Sequence, residues 1–413
     1  MAIETTNILD SLATLLGGPV GVAFSLTLLG ALTMGGLRQH KARQKTGVAA
    51  RDDDVKIPRE LKIPVVQNDP EQIECADVIN RVSHLLVDGK WDTLSAEIAD
   101  WERRLEATPG GARNHEIAVD TALTGLRALL DETPRESLGS LDKAELAVER
   151  FVARHKASPE DHIFAVLAAR AHLMLAGSCR AEYWPEAERG AAWRQMAHHY
   201  LRAEAILSPF DPVAYMSPLV AGAYYELALG MPNGGTAKQP AFEDWIDLDP
   251  SNPAIYAAHV PSFLTSRATD IDDLLREAEA ADERTSETLG HGGYALCLIP
   301  AIAEDPSLRG RIEPDRLAAG LMDFARLSGT QAEVNWAAAT LANEMEECSA
   351  EVRNVLQSAF DAIVCRNLTV IYQRLWAMEL EEIRVFLRGT FRRTGKARIS
   401  EAELYTPPAA SAA

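Results

Sequence analysis

A recurring helix-start pattern is the sequence feature that most constrains the fold of this chain. In each copy, a proline is followed after two residues by a side chain that can cap a helix, and after five or six by an aromatic residue. The copies begin at Pro159, Pro209 and Pro250, with the capping residues Asp161, Asp211 and Asn252 and the aromatics Phe164, Tyr215 and Tyr256. Such a recurrence predicts helical hairpins that stack on one another.

The clearest copy lies between Ile206 and Gly230, ILSPFDPVAYMSPLVAGAYYELALG. It predicts a turn followed by one helix, Pro212 to Leu229, that is apolar or small almost all round. Alanine and leucine dominate the periodic segments of the chain, and no alternating strand pattern is convincing. The sequence therefore predicts an all-α fold, an irregular α-solenoid of helical hairpins.

The remaining helices and loops follow from periodicity and from turn residues. Helices are predicted near Pro70 to Asp88, Trp91 to Ala107, Asn114 to Asp131, Leu141 to Lys156, Pro159 to Leu175, Arg189 to Leu207, Pro253 to Ser266, Ile271 to Asp282, His291 to Ala303, Pro314 to Leu327, Gln331 to Cys348, and Ala350 to Leu387 as one helix or two. Ser178 to Glu188 and Met231 to Ala241 are predicted to be loops.

A stretch without charged residues, Leu12 to Leu37, predicts one transmembrane helix. A helix from Pro19 would rise roughly 28 Å at about 1.5 Å per residue, close to the hydrocarbon thickness of a bilayer. Two alternatives stay open: a cleaved signal peptide, which Glu4 and Asp10 disfavour, and a core helix of a soluble protein.

The residues around this span predict its orientation and its packing. Positive charges follow the span at Arg38, Lys41, Arg43 and Lys45, which are candidate lipid-contacting residues and place the following domain in the cytoplasm. The small residues Gly17, Gly21 and Ser25 lie on one helix face and would allow two spans to pack, so a homodimer is left open. Five cysteines without paired spacing agree with a reducing compartment.

These features divide the chain into five parts. We expect a short N-terminal segment (1–11), the span (12–37), a basic juxtamembrane segment and linker (38–70), the helical repeat domain (71–395) and a disordered tail (396–413). After residue 45 the chain holds 37 Lys/Arg and 58 Asp/Glu, a balance that argues against nucleic-acid binding by the body of the protein.

The end of the repeat domain is basic, in contrast to the rest. It contains Arg384, Arg388, Arg392, Arg393, Lys396 and Arg398 with no acidic residue among them. Three interpretations are open: pairing with acidic neighbours, contact with an anionic membrane surface, and nucleic-acid binding. Arg392 and Arg393 are the candidate lipid-contacting residues of this tract.

No motif in the sequence identifies a chemistry. The common phosphate, dinucleotide, zinc-protease and hydrolase patterns do not occur, and His198 and His199 point about 100° apart on a helix. Glu344, Glu346, Glu347 and Glu351 fit a solvated acidic helix face. We therefore predict no catalytic residue, metal or cofactor, and keep as an alternative an enzyme that assembles His198, His291 and scattered carboxylates.

Aromatic residues are concentrated in one part of this aromatic-poor chain. Four of them are candidate partner-binding residues: Tyr183, Trp184, Tyr224 and Tyr225. Tyr183 and Trp184 stand out because they lie in the predicted loop from Ser178 to Glu188, where exposed aromatics would be interface anchors.

With these turns in hand, the chain resembles tetratricopeptide-like helical-repeat proteins. The turn Asp249-Pro250-Ser251-Asn252-Pro253-Ala254-Ile255-Tyr256 matches them best. The stretch from Val82 to Pro300 also resembles an uncharacterised bacterial family of such repeats, at Gly89-Lys90-Trp91, Ala168 to Gly230 and Tyr256 to Tyr294. The resemblance implies an α-helical scaffold and a protein partner, and it carries no catalytic residues. The repeat spacings of 50 and 41 residues depart from the regular 34.

Together these observations predict a single-pass protein of the bacterial inner membrane whose cytoplasmic helical domain binds another protein.

Overall fold

The computed structural model describes residues 63–66, 70–231, 234–264, 271–327 and 329–394. Seventeen α-helices dominate this part of the chain, which confirms the predicted all-α class. The predicted span from Leu12 to Leu37, with Gly17, Gly21, Ser25, Arg38, Lys41, Arg43 and Lys45, lies outside the described residues, and so does the tail from 396. Among the residues described, no helix is both long enough and apolar enough to cross a bilayer.

Internal contacts divide the described chain into two compact units. The first holds residues 75–107 and 112–249, and the second holds 63–74, 108–111 and 250–394, with the gaps given above. The helices of the first unit are α1 (Pro70–Val87, from residue 75), α2 (Trp91–Arg103), α3 (Asn114–Asp131), α4 (Asp142–Ala157), α5 (His162–Ser178), α6 (Arg189–Leu207), α7 (Pro212–Tyr215), α8 (Pro218–Gly230) and α9 (Gly234–Leu248).

Within the first unit, α3, α5 and α8 pack side by side in that order, and we call them the α3–α5–α8 row. The helices α4, α6 and α9 pack against this row, each against a row helix that is its neighbour in sequence. Helix α5 lies in the middle and is buried on nearly every side, which explains why its sequence is apolar all round.

The three predicted helix caps are present in the structure. Asp161 accepts hydrogen bonds from the backbone N–H groups of Ile163 and Phe164, and Asp211 accepts them from Val213 and Ala214. In the second unit, Asn252 accepts one from Ala254. Each cap satisfies N–H groups that the first turn of a helix leaves without partners.

The helix predicted from Pro212 to Leu229 is interrupted, which corrects the sequence-based expectation. Met216 adopts a left-handed conformation with φ of 50°, and Ser217 caps a new helix, α8, at Val220 N–H. As a result Tyr215 is exposed, whereas the aromatics of the other two copies, Phe164 and Tyr256, are buried. The second copy of the repeat therefore differs from the others in its packing.

A second correction concerns the predicted loop from Met231 to Ala241, most of which is helical. Helix α9 begins at Gly234 and includes Pro240 in its interior. The cost of that proline is offset because Phe242, Trp245 and Ile246 are buried on the following turns. The aromatic rings of Trp245 and Phe242 lie against Tyr225 of α8.

The second unit contains the remaining helices and both strands. Its elements are β1 (Val65–Val66), α10 (Pro253–His259), α11 (Pro261–Leu264), α12 (Ile271–Leu289), α13 (Gly292–Glu304), α14 (Pro314–Leu327), α15 (Gln331–Glu347), α16 (Ala350–Arg366), β2 (Ile371–Tyr372) and α17 (Leu380–Thr394). Helices that are neighbours in sequence from α12 to α17 pack together, and α14 also packs against α16.

A parallel pair of two-residue strands joins a segment expected to be a linker, which contains β1, to a region expected to be helical, which contains β2. Val65 pairs with Ile371 and Val66 with Tyr372, and Ile63 and Val65 are buried. Strand β2 lies in the connection between α16 and α17, so the region from Ala350 to Leu387 forms two helices separated by this connection.

Asn335 of α15 holds this connection in place. Its side-chain oxygen accepts hydrogen bonds from Tyr372 N–H at 3.0 Å and from the indole N–H of Trp376 at 2.8 Å. Its amide donates to the carbonyl oxygens of Gln331 and Val370. Both N–H donors and both lone pairs of this buried amide are thus in use.

Candidate functional site

A cluster of charged side chains crosses all three helices of the α3–α5–α8 row. It consists of Glu116, Asp120 and Arg127 on α3, Arg170 on α5 and Glu226 on α8, and we call it the row cluster. The carboxylates of Glu116, Asp120 and Glu226 keep between 16% and 24% of their side-chain surface accessible. The row cluster is therefore deeply set but can be reached from solvent.

Arg170 is the centre of the row cluster. Its two terminal nitrogens donate to the carboxylate of Glu116, at 2.6 and 3.3 Å, in a bidentate pair. Its Nε lies 3.2 Å from Glu226 Oε1. One guanidinium group thus connects the three helices, and Arg127 lies 3.6 Å from Asp120 at the edge.

The start of α8 is positioned by Glu102, a buried residue of α2. Its Oε1 accepts hydrogen bonds from Ser217 Oγ at 2.6 Å and Leu219 N–H at 2.9 Å, and its Oε2 lies 2.8 Å from His162 Nε2. Because one carboxylate binds the first residues of both α5 and α8, it sets the spacing of the helices that carry Arg170 and Glu226.

Gly222 lets the guanidinium approach the backbone of α8 closely. A Cβ atom there would lie 3.2 Å from Arg170 Nη2 and 3.0 Å from Trp245 Cζ2, a tighter contact than side chains normally make. The indole N–H of Trp245 is buried and has no hydrogen-bond partner among the described residues. Arg170 and Trp245 therefore share a narrow space that any larger residue at 222 would invade.

The row cluster has more carboxylates than cations, since Arg127 and Arg170 face three acids. Burial raises the pKa of Glu226 to about 7 despite Arg170, and Glu116 and Asp120 add to the rise. Burial also raises the pKa of Asp120, against the pull of Arg127. Burial opposes the charge of Glu116 too, but there Arg170 outweighs it and the pKa is lowered.

This arrangement suits the binding of a cation. A positive group placed near Asp120 and Glu226 would stabilise both carboxylates in the ionised state, which their surroundings now disfavour. The ligand would replace part of the water that reaches these side chains. The binding affinity would therefore be highest for a cationic group that also donates hydrogen bonds.

The neighbouring Ser217, Glu102 and His162 do not form a nucleophilic triad. The carboxylate lies between the hydroxyl and the imidazole, so His162 does not contact the Ser217 hydroxyl and cannot take its proton. Glu102 instead connects the N-terminal ends of α5 and α8.

The histidines of the enzyme alternative lie in different surroundings. His198 is exposed on α6 beside His199, and His291 lies in the second unit, with Nδ1 at 3.2 Å from Asp282 Oδ2. His199 pairs instead with His172, Nδ1 to Nδ1 at 3.0 Å, and burial lowers the pKa of both to about 4. In the part of the chain that the structure describes, no three metal-ligating side chains come together.

The four aromatic candidates occupy different environments. Tyr183 is 45% exposed and lies near Arg180, whereas Trp184 is 2% exposed and donates its indole N–H to Ser178 O at 3.0 Å. Tyr224 is half-buried with its hydroxyl donating to Leu207 O, and Tyr225 is fully buried. Among the four, Tyr183 offers the largest surface to a partner, and Trp184 and Tyr225 offer almost none.

The basic tract near the C-terminus pairs at least in part with acids. Arg393 forms a bidentate pair with Asp361 of α16, with two nitrogen–oxygen distances of 2.9 Å, and Arg384 pairs with Glu381. Arg392 is exposed on α17. These contacts favour pairing with acidic neighbours for Arg393, and the lipid contact of Arg392 stays a prediction.

Sequence reasoning missed the row cluster, although a signal was present. Arg170 is the only Asp, Glu, Lys or Arg of α5, and Glu226 is the only one of α8, in helices that are otherwise apolar. A charge within a buried helix needs a partner nearby. That rule predicts a contact between the two helices, but the sequence does not show that Glu116 and Asp120 join it.

The chain matches no protein-family model, no curated protein and no solved structure. The resemblance to tetratricopeptide-like proteins therefore stays a prediction.

Proposed function

We propose that this protein is a membrane-anchored α-helical scaffold that binds a basic segment of a protein partner at the row cluster. No turnover is part of the proposal. The observation that carries it is the excess of partly accessible carboxylates across three packed helices, with the pKa values of Asp120 and Glu226 raised. A partner's lysine or arginine would add a cation to a cluster in which three carboxylates lie beside two arginines.

The proposal includes an irregular α-solenoid as the architecture of the first unit. Its support is the side-by-side packing of α3, α5 and α8, with α4, α6 and α9 against them. Repeated hairpins of this kind form extended surfaces on which successive helices each contribute a few side chains to a ligand.

Membrane attachment and cytoplasmic orientation are proposed from the sequence alone, on the apolar stretch from Leu12 to Leu37 and the cations that follow it. Carbonate extraction of membranes, with mass analysis of the N-terminus, tests this part. Release of the full-length chain into the soluble fraction would support the core-helix alternative, and a shortened chain would support the signal-peptide alternative.

The row cluster is tested with a fluorescently labelled lysine-rich peptide and two acid-neutralising variants. Asp120→Asn/Glu226→Gln should weaken binding of the peptide, because it removes the two carboxylates of the row cluster whose pKa values are raised and which a bound cation would stabilise. The matched control is Glu136→Gln/Glu149→Gln, which removes two exposed carboxylates of the first unit outside the row cluster. If the control weakens peptide binding as much as Asp120→Asn/Glu226→Gln does, the peptide responds only to the net charge of the protein, and the row cluster is not its binding site.

The pH dependence of the same binding gives a second readout. Binding of a cation should lower the pKa of Glu226 from about 7 and release a proton. Affinity should therefore rise from pH 6 to pH 8, by up to about tenfold for one proton. The Glu226→Gln variant should lose most of this rise.

A further inference from the structure

The second unit contains a pocket of about 270 Å³ between α13, α14, α15 and α16. Its apolar lining is formed by Ile302, Ile312, Pro314, Leu317, Val352 and Leu356. Polar side chains of Arg309, Glu344, Glu347, Cys348 and Ser349 also line it, together with Gly310. The volume lies just below the roughly 300 to 1,000 Å³ of pockets that bury drug-sized ligands, and it suits a single large side chain.

The polar lining of this pocket is acidic. Arg309 is the cation in the lining, and its guanidinium donates to both carboxylate oxygens of Glu344, at 2.6 and 3.0 Å. The charge of Arg309 is therefore balanced by that of Glu344. Glu347 also lines the pocket and is exposed. The side chains that line the pocket thus include two carboxylates and one guanidinium, which favours a ligand with a positive group next to its apolar part.

We infer that this pocket binds one large apolar side chain of a partner protein's segment, with a lysine or arginine adjacent to that side chain. The apolar group would enter between Leu317, Val352 and Leu356, and the cation would lie over Glu347. The inference rests on the proposal that the protein binds a protein partner. It concerns residues separate from the row cluster, and it gives a use to the acidic face that the sequence places at the end of α15.

Cys348 provides a direct readout because its half-buried thiol lines the pocket. A bound side chain would block access to the thiol and slow its alkylation by iodoacetamide. Cys365, which is also half-buried and does not line the pocket, serves as a reference within the same chain. Mass spectrometry of the digested protein then gives both alkylation rates from one sample.

The probe is the blocked tripeptide acetyl-Lys-Phe-Lys-amide, compared with acetyl-Lys-Ser-Lys-amide and acetyl-Glu-Phe-Glu-amide. With a dissociation constant of about 1 mM and about 5 mM peptide, mass action predicts that the Cys348 rate falls about sixfold. The Cys365 rate should not change. Protection that is absent, or that is equal with the serine or the glutamate peptide, would overturn the inference.

Two variant pairs place the ligand in the pocket. A Cβ at Gly310 meets no atom within 4 Å, so Gly310→Ala should keep the protection whereas Gly310→Trp should abolish it by filling the pocket. Glu347→Gln should weaken binding of the lysine peptide by about two- to fivefold, the range for a partly exposed ion pair. Full protection in Gly310→Trp would contradict the site.

The failure of this inference can be distinguished from the failure of the proposed function. Protection of Cys348 should persist in Asp120→Asn/Glu226→Gln, because neither residue lines the pocket. Loss of protection in that variant, with Gly310→Trp still protected, would assign the tripeptide to the row cluster and overturn the pocket.

Discussion

The two units each bury a polar centre, but the two centres differ in how fully they are satisfied. In the second unit, the neutral amide of Asn335 bonds to backbone groups and to the indole of Trp376, and it is completely buried. In the first unit, Arg170 is shared between Glu116 and Glu226, and the acids outnumber the cations. A polar centre of the first kind stabilises a fold, whereas one of the second kind retains capacity for a ligand.

Replacing Arg170 should produce the largest loss of stability. In Arg170→Met, the carboxylates of Glu116 and Glu226 lose the cation that connects them, so the free energy of unfolding should fall by about 3 to 5 kcal/mol at neutral pH. Hydrogen exchange measured by mass spectrometry should localise the loss to the α3–α5–α8 row. Arg170→Lys is the control, since it keeps the charge and loses only the bidentate geometry. Equal effects of both would show that shape matters here and charge does not.

Asn335→Leu should have the next largest effect. It leaves Tyr372 N–H, Trp376 N–H and Val370 O without their partner, so the free energy of unfolding should fall by about 2 to 4 kcal/mol. Urea denaturation followed by circular dichroism measures it. The control Asn354→Leu, at an exposed position of α16, should change it by less than about 0.5 kcal/mol. A pH-dependent loss would contradict the neutral character of this centre.

Glu226→Gln should stabilise the first unit, in contrast to the other two variants. The pKa of Glu226 is about 7 in the folded state, compared with an ordinary value of 4.5. The wild type therefore loses stability as the pH rises from about 4.5 to about 7. The variant has no such loss, so it should be more stable by about 1 to 3 kcal/mol at pH 8 and nearly equal near pH 4. Glu149→Gln should show no pH-dependent difference. A constant difference at all pH values would exclude ionisation of Glu226 as its cause.

The sequence predicts local features of this fold better than long-range ones. Asp161, Asp211 and Asn252 are present as helix caps because a cap depends on neighbours within three residues. The break at Met216 depends on the bonds between Glu102 and the start of α8, more than a hundred residues apart. Helix α9 contains Pro240 because the following residues bury large apolar side chains, which local propensity does not report.

The candidate sites also combine features that the sequence shows with features that depend on how distant helices pack. The charges of Arg170 and Glu226 within apolar helices are visible in the sequence, but their common partners depend on the order in which helices pack. Of the four glutamates predicted to share one helix face, Glu344, Glu346 and Glu347 lie at the end of α15, whereas Glu351 lies on α16. The apolar pocket at the end of α15 is formed by four helices. The spacing of charged residues along one helix therefore indicates a polar face, but it does not indicate what that face binds.

Two adjacent aromatic residues, Trp184 and Tyr183, show a similar contrast, because the first is buried and hydrogen-bonded and the second is exposed. Trp184 packs under Arg135 and donates its indole N–H, so its removal would cost about 3 to 5 kcal/mol and obscure any effect on binding. Tyr183 is exposed, and Tyr183→Ala should change the free energy of unfolding by less than about 0.5 kcal/mol.

Tyr183→Ala therefore isolates the binding role of the loop between α5 and α6. If the loop contacts the partner, the variant should recover less of it from solubilised membranes while it unfolds at the same urea concentration as the wild type. Tyr215→Ala is the matched control, because Tyr215 is almost equally exposed at 44% but lies at the end of α7, against Phe210. Since an exposed aromatic acts as an anchor only where a partner covers it, unchanged recovery with Tyr183→Ala would restrict the binding surface to the row cluster and the pocket at Cys348.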